Sequence, residues 1–132
     1  MISKNSFNLD GKTIVVTGAN GLLGIEFAES IIEFGGQVIA IDIASNNLED
    51  KNLLSNNHLH FINADISDED KLIKRIEGLS NNQKKTVAGL VNCAAKDFIP
   101  SKSDKNATRE DLFNLEEFRK TLDLNVTCQI IV

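Results

Sequence analysis

A chain of 132 residues with a formal net charge of −5, 42% hydrophobic and 25% charged residues has the balance of one modest globular domain with a real core, though it is short for a complete two-half dinucleotide fold. The negative charge argues against nucleic acid or an anionic membrane as the main partner. No apolar stretch approaches membrane-spanning length, and Tyr and Trp are both absent, so no chemistry within these residues uses a tyrosine hydroxyl.

Met1 to Gly11 is a polar lead-in with no apolar core of a signal peptide, which predicts a cytoplasmic protein. Phe7 and Leu9 should tuck against the domain edge, and Asp10-Gly11 should turn the chain into a first strand, Lys12 to Thr17. The strand delivers the chain to Thr17-Gly18-Ala19-Asn20-Gly21-Leu22-Leu23-Gly24, which opens a helix ending near Phe34. This pattern reads as a phosphate-binding turn, because the helix that follows points unpaired N–H groups and the positive end of its dipole at an anion. Gly18 permits the sharp turn, Gly21 leaves room for a pyrophosphate, and Gly24 allows close packing of helix on strand. Leu23, Phe27, Ile31 and Phe34 recur at helical spacing and predict the stripe on the sheet, with Glu26, Glu29 and Glu33 in water.

Gly35-Gly36 ends that helix. Val38 to Ile41 is continuously apolar, as a parallel strand covered on both faces should be. Asp42 terminates it, about 20 residues after the glycines, where an acidic residue would grip an adenosine ribose. A short helix is predicted around Leu48 to Leu54 and a third strand over Leu59 to Ile62, followed by Asn63-Ala64-Asp65-Ile66. Ser67-Asp68-Glu69-Asp70 resembles an N-cap with acids in the first turn. Leu72, Ile73 and Ile76 carry that helix to about Leu79, with a loop over Ser80 to Lys85 that contains the Lys84-Lys85 pair.

Val87 to Val91 is the predicted fourth strand, ending in Asn92-Cys93-Ala94-Ala95. A polar connection with the single proline, Pro100, runs from Lys96 to Asp111 and could cover a cofactor. Asn114-Leu115-Glu116-Glu117 reads as a capping box, and Leu115, Phe118 and Leu122 as the buried stripe of a last helix still in progress at Val132. Asn125 falls on the same stripe, where a polar side chain needs a partner. Cys93 and Cys128 lack metal-ligand spacing and should both be reduced and partly buried. His58 and His60 could share a face, but no third ligand accompanies them and no metal site is expected.

Four strands alternating with four helices predict an α/β fold: a Rossmann-like parallel sheet with right-handed crossovers, strand order 3-2-1-4 and flanking helices, the whole chain being one nucleotide-binding domain. The ligand then sits where the order reverses, between strands one and four.

The residues resemble the N-terminal half of the short-chain dehydrogenase/reductase family. The resemblance rests on the Thr17 to Gly24 turn, on Asp42, on Ala64-Asp65-Ile66, on Asn92-Cys93-Ala94-Ala95 in the place of that family's Asn-Asn-Ala-Gly segment, and on Leu124-Asn125-Val126 in the place of its helix asparagine. It implies that Asn20, Gly21, Leu22 and Leu23 line the pyrophosphate, and that Asp42 holds the adenosine ribose with Ile43 beside it. It further implies that Asp65 and Ile66 border the adenine, and that Asn92, Ala94 and Ala95 run under the second ribose. Asn125 is implied to hold a water in a proton relay. The glycine spacing matches the family's extended branch of nucleotide-sugar epimerases and dehydratases, whereas Asn92 and Asn125 match the single-domain branch. The family's catalytic serine and Tyr-x-x-x-Lys pair belong to the next strand and helix, beyond Val132.

The resemblance therefore implies the cofactor-binding portion of an NAD-dependent oxidoreductase acting on an alcohol, carbonyl or sugar, inert as this stretch alone. A non-catalytic NAD-binding regulatory module and a fragment of a nucleotide-sugar epimerase or dehydratase are the alternatives. A carboxylate at Asp42 would repel a 2′-phosphate, and Ala19, Asn20, Ile43 and Ala44 supply no cation to offset it, which predicts NAD over NADP. An uncovered apolar face on the last helix and an open edge at the fourth strand predict a homo-oligomer.

Overall fold

The computed structural model describes residues 7–83, 87–96 and 114–131. The Lys84-Lys85 pair and the Pro100 connection lie outside them. Four strands, β1 (Thr13–Thr17), β2 (Gln37–Asp42), β3 (Leu59–Asn63) and β4 (Val87–Asn92), form an all-parallel sheet in the order β3-β2-β1-β4. β1 sits at the centre, with Thr17 opposite Ile41 of β2 on one side and Asn92 of β4 on the other. The expected strand order 3-2-1-4 is the observed one.

Alternation along these strands builds two cores. Val16, Val38 and Ala40 face one side, where they meet Ile25, Ala28 and Ile31 of α1 (Leu22–Glu33) and Leu48 of α2 (Asn46–Asp50). Val15, Ile39, Ile41 and Ile62 face the other, against Leu72 of α3 (Glu69–Gln83) and Cys128, the first residue of α5 (Cys128–Ile131). Both faces are covered, which is why β2 is apolar without a break from Val38 to Ile41. Each of these branched side chains, fully removed from water, stabilises the fold by roughly 1.5–3 kcal/mol.

Several local expectations are corrected. The buried face of α1 is Gly24, Ile25, Ala28 and Ile31; of the expected stripe Ile31 is buried, while Leu23 and Phe27 are exposed and Phe34 is only partly buried. The close approach of Gly24 to the turn sets the helix's rotation about its axis and leaves Leu23 and Phe27 exposed. α3 runs on to Gln83 where a loop over Ser80 to Lys85 was expected, and it buries Leu72 while Ile73 stays exposed. The expected helix over Leu48 to Leu54 is instead α2 followed by a separate 3₁₀ turn at Leu53–Ser55. Within α4 (Leu115–Leu122), Leu115, Phe118 and Leu122 are exposed rather than buried. α4 passes into a π-helical turn, Asp123–Thr127, that carries the exposed Asn125 and leads into α5.

β4 is one of the two edge strands of the described sheet, with Val87 and Leu90 about two-fifths exposed. Phe7 meets the edge of the Phe34 ring, and Leu9 packs against the α1 side of the core. No helix among the described residues is long and apolar enough to cross a membrane.

Candidate functional site

A cavity of about 490 Å³ opens at the C-terminal ends of the strands, where the strand order reverses between β1 and β4. Gly18 and Gly21 form one wall, Asp42 and Ile43 extend it from β2, and Ala64, Asp65 and Ile66 close it after β3. Cys93, Ala94, Ala95 and Lys96 supply the opposite wall after β4, and Lys120, Asp123 and Leu124 reach it from α4 and the π turn. The switch point of the strand order is thus also the place where most of the sequence-derived site residues converge.

The turn after β1 is built by close backbone packing. Gly18 has φ +62°, and a β-carbon on it would stand 2.5 Å from the Ala94 nitrogen, so the ends of β1 and β4 touch through the absence of a side chain. Its carbonyl accepts the Gly21 N–H at 3.0 Å, and the Ala19 N–H reaches across to the Ile41 carbonyl at 3.2 Å. A β-carbon on Gly24 would fall 2.1 Å from the Gly18 oxygen, so glycine is what lets the first turn of α1 fold down on this loop. Gly21 is the N-cap of α1 and has no side chain to cap it, and no acid occupies the first turn. The positive end of α1 therefore has no side-chain cap and no carboxylate in its first turn, an arrangement that favours an anion. The Leu22 and Leu23 side chains are exposed and do not line the cavity; what these residues bring to the turn is backbone N–H.

Asp42 lies half-buried at the end of β2. Its Oδ2 accepts the Asn20 N–H at 2.9 Å and its Oδ1 the Ala44 N–H at 3.1 Å. A carboxylate has about four acceptor positions, so each oxygen keeps one for a ligand hydroxyl. Asn20, expected along a pyrophosphate, is turned the other way. Its Oδ1 accepts the N–H groups of Asn47 and Leu48 at 2.9 and 3.1 Å, and its Nδ2 donates to Asn46 Oδ1. It therefore caps the start of α2 from another part of the chain and ties that helix to the glycine turn. Asp65 Oδ1 accepts both the N–H and the hydroxyl of Ser67, forming a tight turn at the cavity rim.

On the β4 side, Asn92 is not among the cavity's lining residues. Its Oδ1 accepts the Thr17 hydroxyl at 3.4 Å, and its Nδ2 donates to the Gln129 carbonyl at 3.1 Å. Asn125 also stays outside the lining. Its Oδ1 accepts the Lys96 N–H at 2.8 Å while its Nδ2 donates to the Lys96 carbonyl at 3.0 Å. Lys96 reaches Glu117 at 3.0 Å, and Lys120 reaches Glu116 and Glu117 at 2.9 and 3.1 Å. Hydrogen bonds from Lys96 and then Lys120 hold the Glu117 carboxyl below the usual carboxylate range. The Asn114 side chain caps the N–H groups of Glu116 and Glu117, but the Glu117 side chain, expected to complete a capping box, goes to the two lysines. Both cysteines are free. Burial pushes the thiols of Cys93, which lines the cavity, and Cys128 up from the ordinary value.

Among the sequence-derived residues the structure gathers Gly18, Gly21, Asp42, Ile43, Ala64, Asp65, Ile66, Ala94 and Ala95 on the cavity, while Asn20, Leu22, Leu23, Gly24, Asn92 and Asn125 are not among its lining residues. Sequence reasoning passed over Thr17, Lys96, Lys120, Asp123 and Gln129. Thr17 carried a faint signal as a fully buried hydroxyl ending an apolar strand, and Gln129 another as a lone polar residue before Ile130-Ile131.

Comparison with known proteins places this geometry in context. A family model described as short chain dehydrogenase matches residues 12–132. The short chain dehydrogenases/reductase notP' of Aspergillus versicolor is 32% identical over 133 residues, a match that takes in 96% of this chain and 43% of the relative. A short chain dehydrogenase from Leptospira borgpetersenii, solved with bound NAD+, superposes with a TM-score of 0.70 at 26% identity, over 99% of this chain and 46% of its own. The 3-ketoacyl-(acyl-carrier-protein) reductase from Brucella melitensis, complexed with NADH, superposes with a TM-score of 0.76 at 25% identity, over 94% and 48%. The chain thus spans a little under half the length of each of these relatives.

Proposed function

The chain belongs to the short chain dehydrogenase family, and on that premise we propose that it is the dinucleotide-binding portion of an NAD-dependent oxidoreductase acting on an alcohol or carbonyl. The observation that carries this reading is the meeting of an uncapped helix N-terminus and a half-buried carboxylate, Asp42, on one cavity at the switch point. When bound, the nicotinamide supplies hydride transfer, and the protein supplies orientation.

In this reading the N–H groups of Leu22 and Leu23, exposed by the glycine turn, take the pyrophosphate. The free acceptor positions of Asp42 take the adenosine ribose hydroxyls, with Ile43 beside them. Ala64, Asp65 and Ile66 border the adenine, and Ala94 and Ala95 run under the second ribose. Gly18 and Gly24 shape the turn, while Asn20, Asn92 and Asn125 act by holding backbone in place. NAD is preferred to NADP because a 2′-phosphate beside Asp42 would meet a like charge with no cation at Ala19, Asn20, Ile43 or Ala44. These residues include no tyrosine, and alone they should turn over no alcohol.

Titration calorimetry of NAD and NADP against this chain tests the reading. NAD should bind tighter by at least about tenfold, equivalent to 1.4 kcal/mol. Comparable affinities would overturn the cofactor preference, and binding of neither would overturn the function. Alcohol turnover that survives further purification would refute the expected inertness.

A further inference from the structure

The backbone from Cys93 to Lys96 forms one wall of the cavity; β1 holds its start, through the Cys93 N–H on the Thr17 carbonyl at 3.1 Å, and beyond Cys93 the backbone is held by side chains. Thr17 Oγ1 accepts the Ala94 N–H at 3.3 Å. Gln129 Nε2 donates to the Ala94 carbonyl at 2.6 Å, and Asn125 takes both backbone groups of Lys96. Asn125 and Gln129 stand four residues apart on the same helical face. Gln129 also donates to the Leu124 carbonyl at 3.2 Å within the π-turned helix, and its own carbonyl receives Asn92. Its Oε1 is buried and has no hydrogen-bond partner among the described residues. The fixed object in this arrangement is the amide nitrogen, shared between two carbonyls.

We infer that Gln129 is a positioning residue for the dinucleotide site: it pins the Ala94 carbonyl, and thereby sets the wall that receives the second ribose. The contact of Gly18 with Cys93 and Ala94 makes this position critical, since a β-carbon on Gly18 would already lie 2.5 to 2.7 Å from their backbone atoms. A small movement of Ala94 toward β1 therefore collides with the phosphate turn, and a movement away opens the wall. Gln129 stands behind this wall, away from Asp42 and the adenine end, so its influence is confined to one half of the ligand. This inference rests on the dinucleotide reading above.

The test compares NAD with AMP, which occupies only the Asp42 half. Gln129→Met keeps the length of the side chain and removes both donors. It should weaken NAD binding about tenfold by orphaning the Ala94 carbonyl, while AMP binds as in the wild type. Gln129→Glu, which at neutral pH turns an acceptor toward that carbonyl, should give a larger NAD loss, again with AMP unchanged. Unchanged AMP affinity reports that the fold is intact, which a merely structural role for Gln129 would not leave so. Equal losses for both ligands, or no loss for either, would overturn the role of Gln129 while leaving the cofactor site standing. Failure of the wild-type chain to bind either ligand would overturn the dinucleotide reading itself.

Discussion

Replacing Gly18 by alanine puts two costs on one atom. The residue has φ +62°, a conformation that costs a residue with a β-carbon roughly 1–2 kcal/mol. The added carbon also meets three backbone atoms of the β4 end, Ala94 N at 2.5 Å, the Cys93 carbonyl carbon at 2.6 Å and Ala94 Cα at 2.7 Å. Backbone held by Thr17, Gln129 and Asn125 cannot rotate out of the way, and overpacking of this kind typically costs a further 1–3 kcal/mol, for about 2–5 kcal/mol in all. Two glycines serve as controls. Gly11 has φ +71° with nothing within 4 Å of the site of a β-carbon, so Gly11→Ala carries the conformational cost alone. Gly78 lies in α3 at ordinary φ with open space around it, so Gly78→Ala should stabilise by up to about 1 kcal/mol. Urea denaturation followed by circular dichroism ranks the three variants. If Gly18→Ala loses no more than Gly11→Ala, the contact between the ends of β1 and β4 is not the constraint described here, and the same variant should then retain dinucleotide binding.

Other outcomes follow from the same site. Asp42→Asn keeps an acceptor for the Asn20 or Ala44 N–H while removing the charge, and should narrow the gap between NAD and NADP by about tenfold in competition titrations, a change of 1.4 kcal/mol. The Cys93 thiol, pushed up by burial, should stay protonated at neutral pH and alkylate slowly with iodoacetamide; bound NAD should slow it further, which peptide mass mapping reads directly. Glu117 titrates below its unfolded value, so its tie to Lys96 is present above about pH 4.3 and is lost as pH falls through the lower folded-state value. Amide exchange at Lys96 should gain an acid-side step there that Glu117→Gln abolishes. The exposed Leu115, Leu122 and Val126 on α4 and its π turn should drive self-association, and Leu122→Asp should shift sedimentation toward the monomer.

Much of this architecture was legible because the pattern that encodes it is local. The unbroken apolar run of β2 requires cover on both faces, and a strand, a glycine turn and a helix in succession place an anion site at one sheet end. Asp42 ends its strand at a distance in sequence that the βα unit fixes, so its place on the cavity could be read without coordinates. Side-chain direction could not. Leu23 and Phe27 satisfy helical periodicity as well as Ile25 and Ala28 do, and only the collision that any larger residue at Gly24 would have with Gly18 decides which face turns inward.

The asparagines show the same division. Sequence alone marked Asn125 as a polar residue that demands a partner, while the family resemblance implied ligand contacts for Asn20 and Asn92. Tertiary structure chose the partners: Asn20 the start of α2, Asn92 the Thr17 hydroxyl and the Gln129 carbonyl, and Asn125 the backbone of Lys96. An amide can satisfy itself against any exposed backbone within reach, so its partner depends on which segments the sheet brings together. The sequence by itself determined the alternation of strands and helices and the chemical types at their ends, because periodicity and turn residues act within a few neighbours; the strand order followed from the nucleotide-binding fold pattern that this alternation matches. Which residues line the cavity and which hold its wall was decided by packing between segments distant in the chain, as at Gly18, where a β-carbon would stand 2.5 Å from the Ala94 nitrogen.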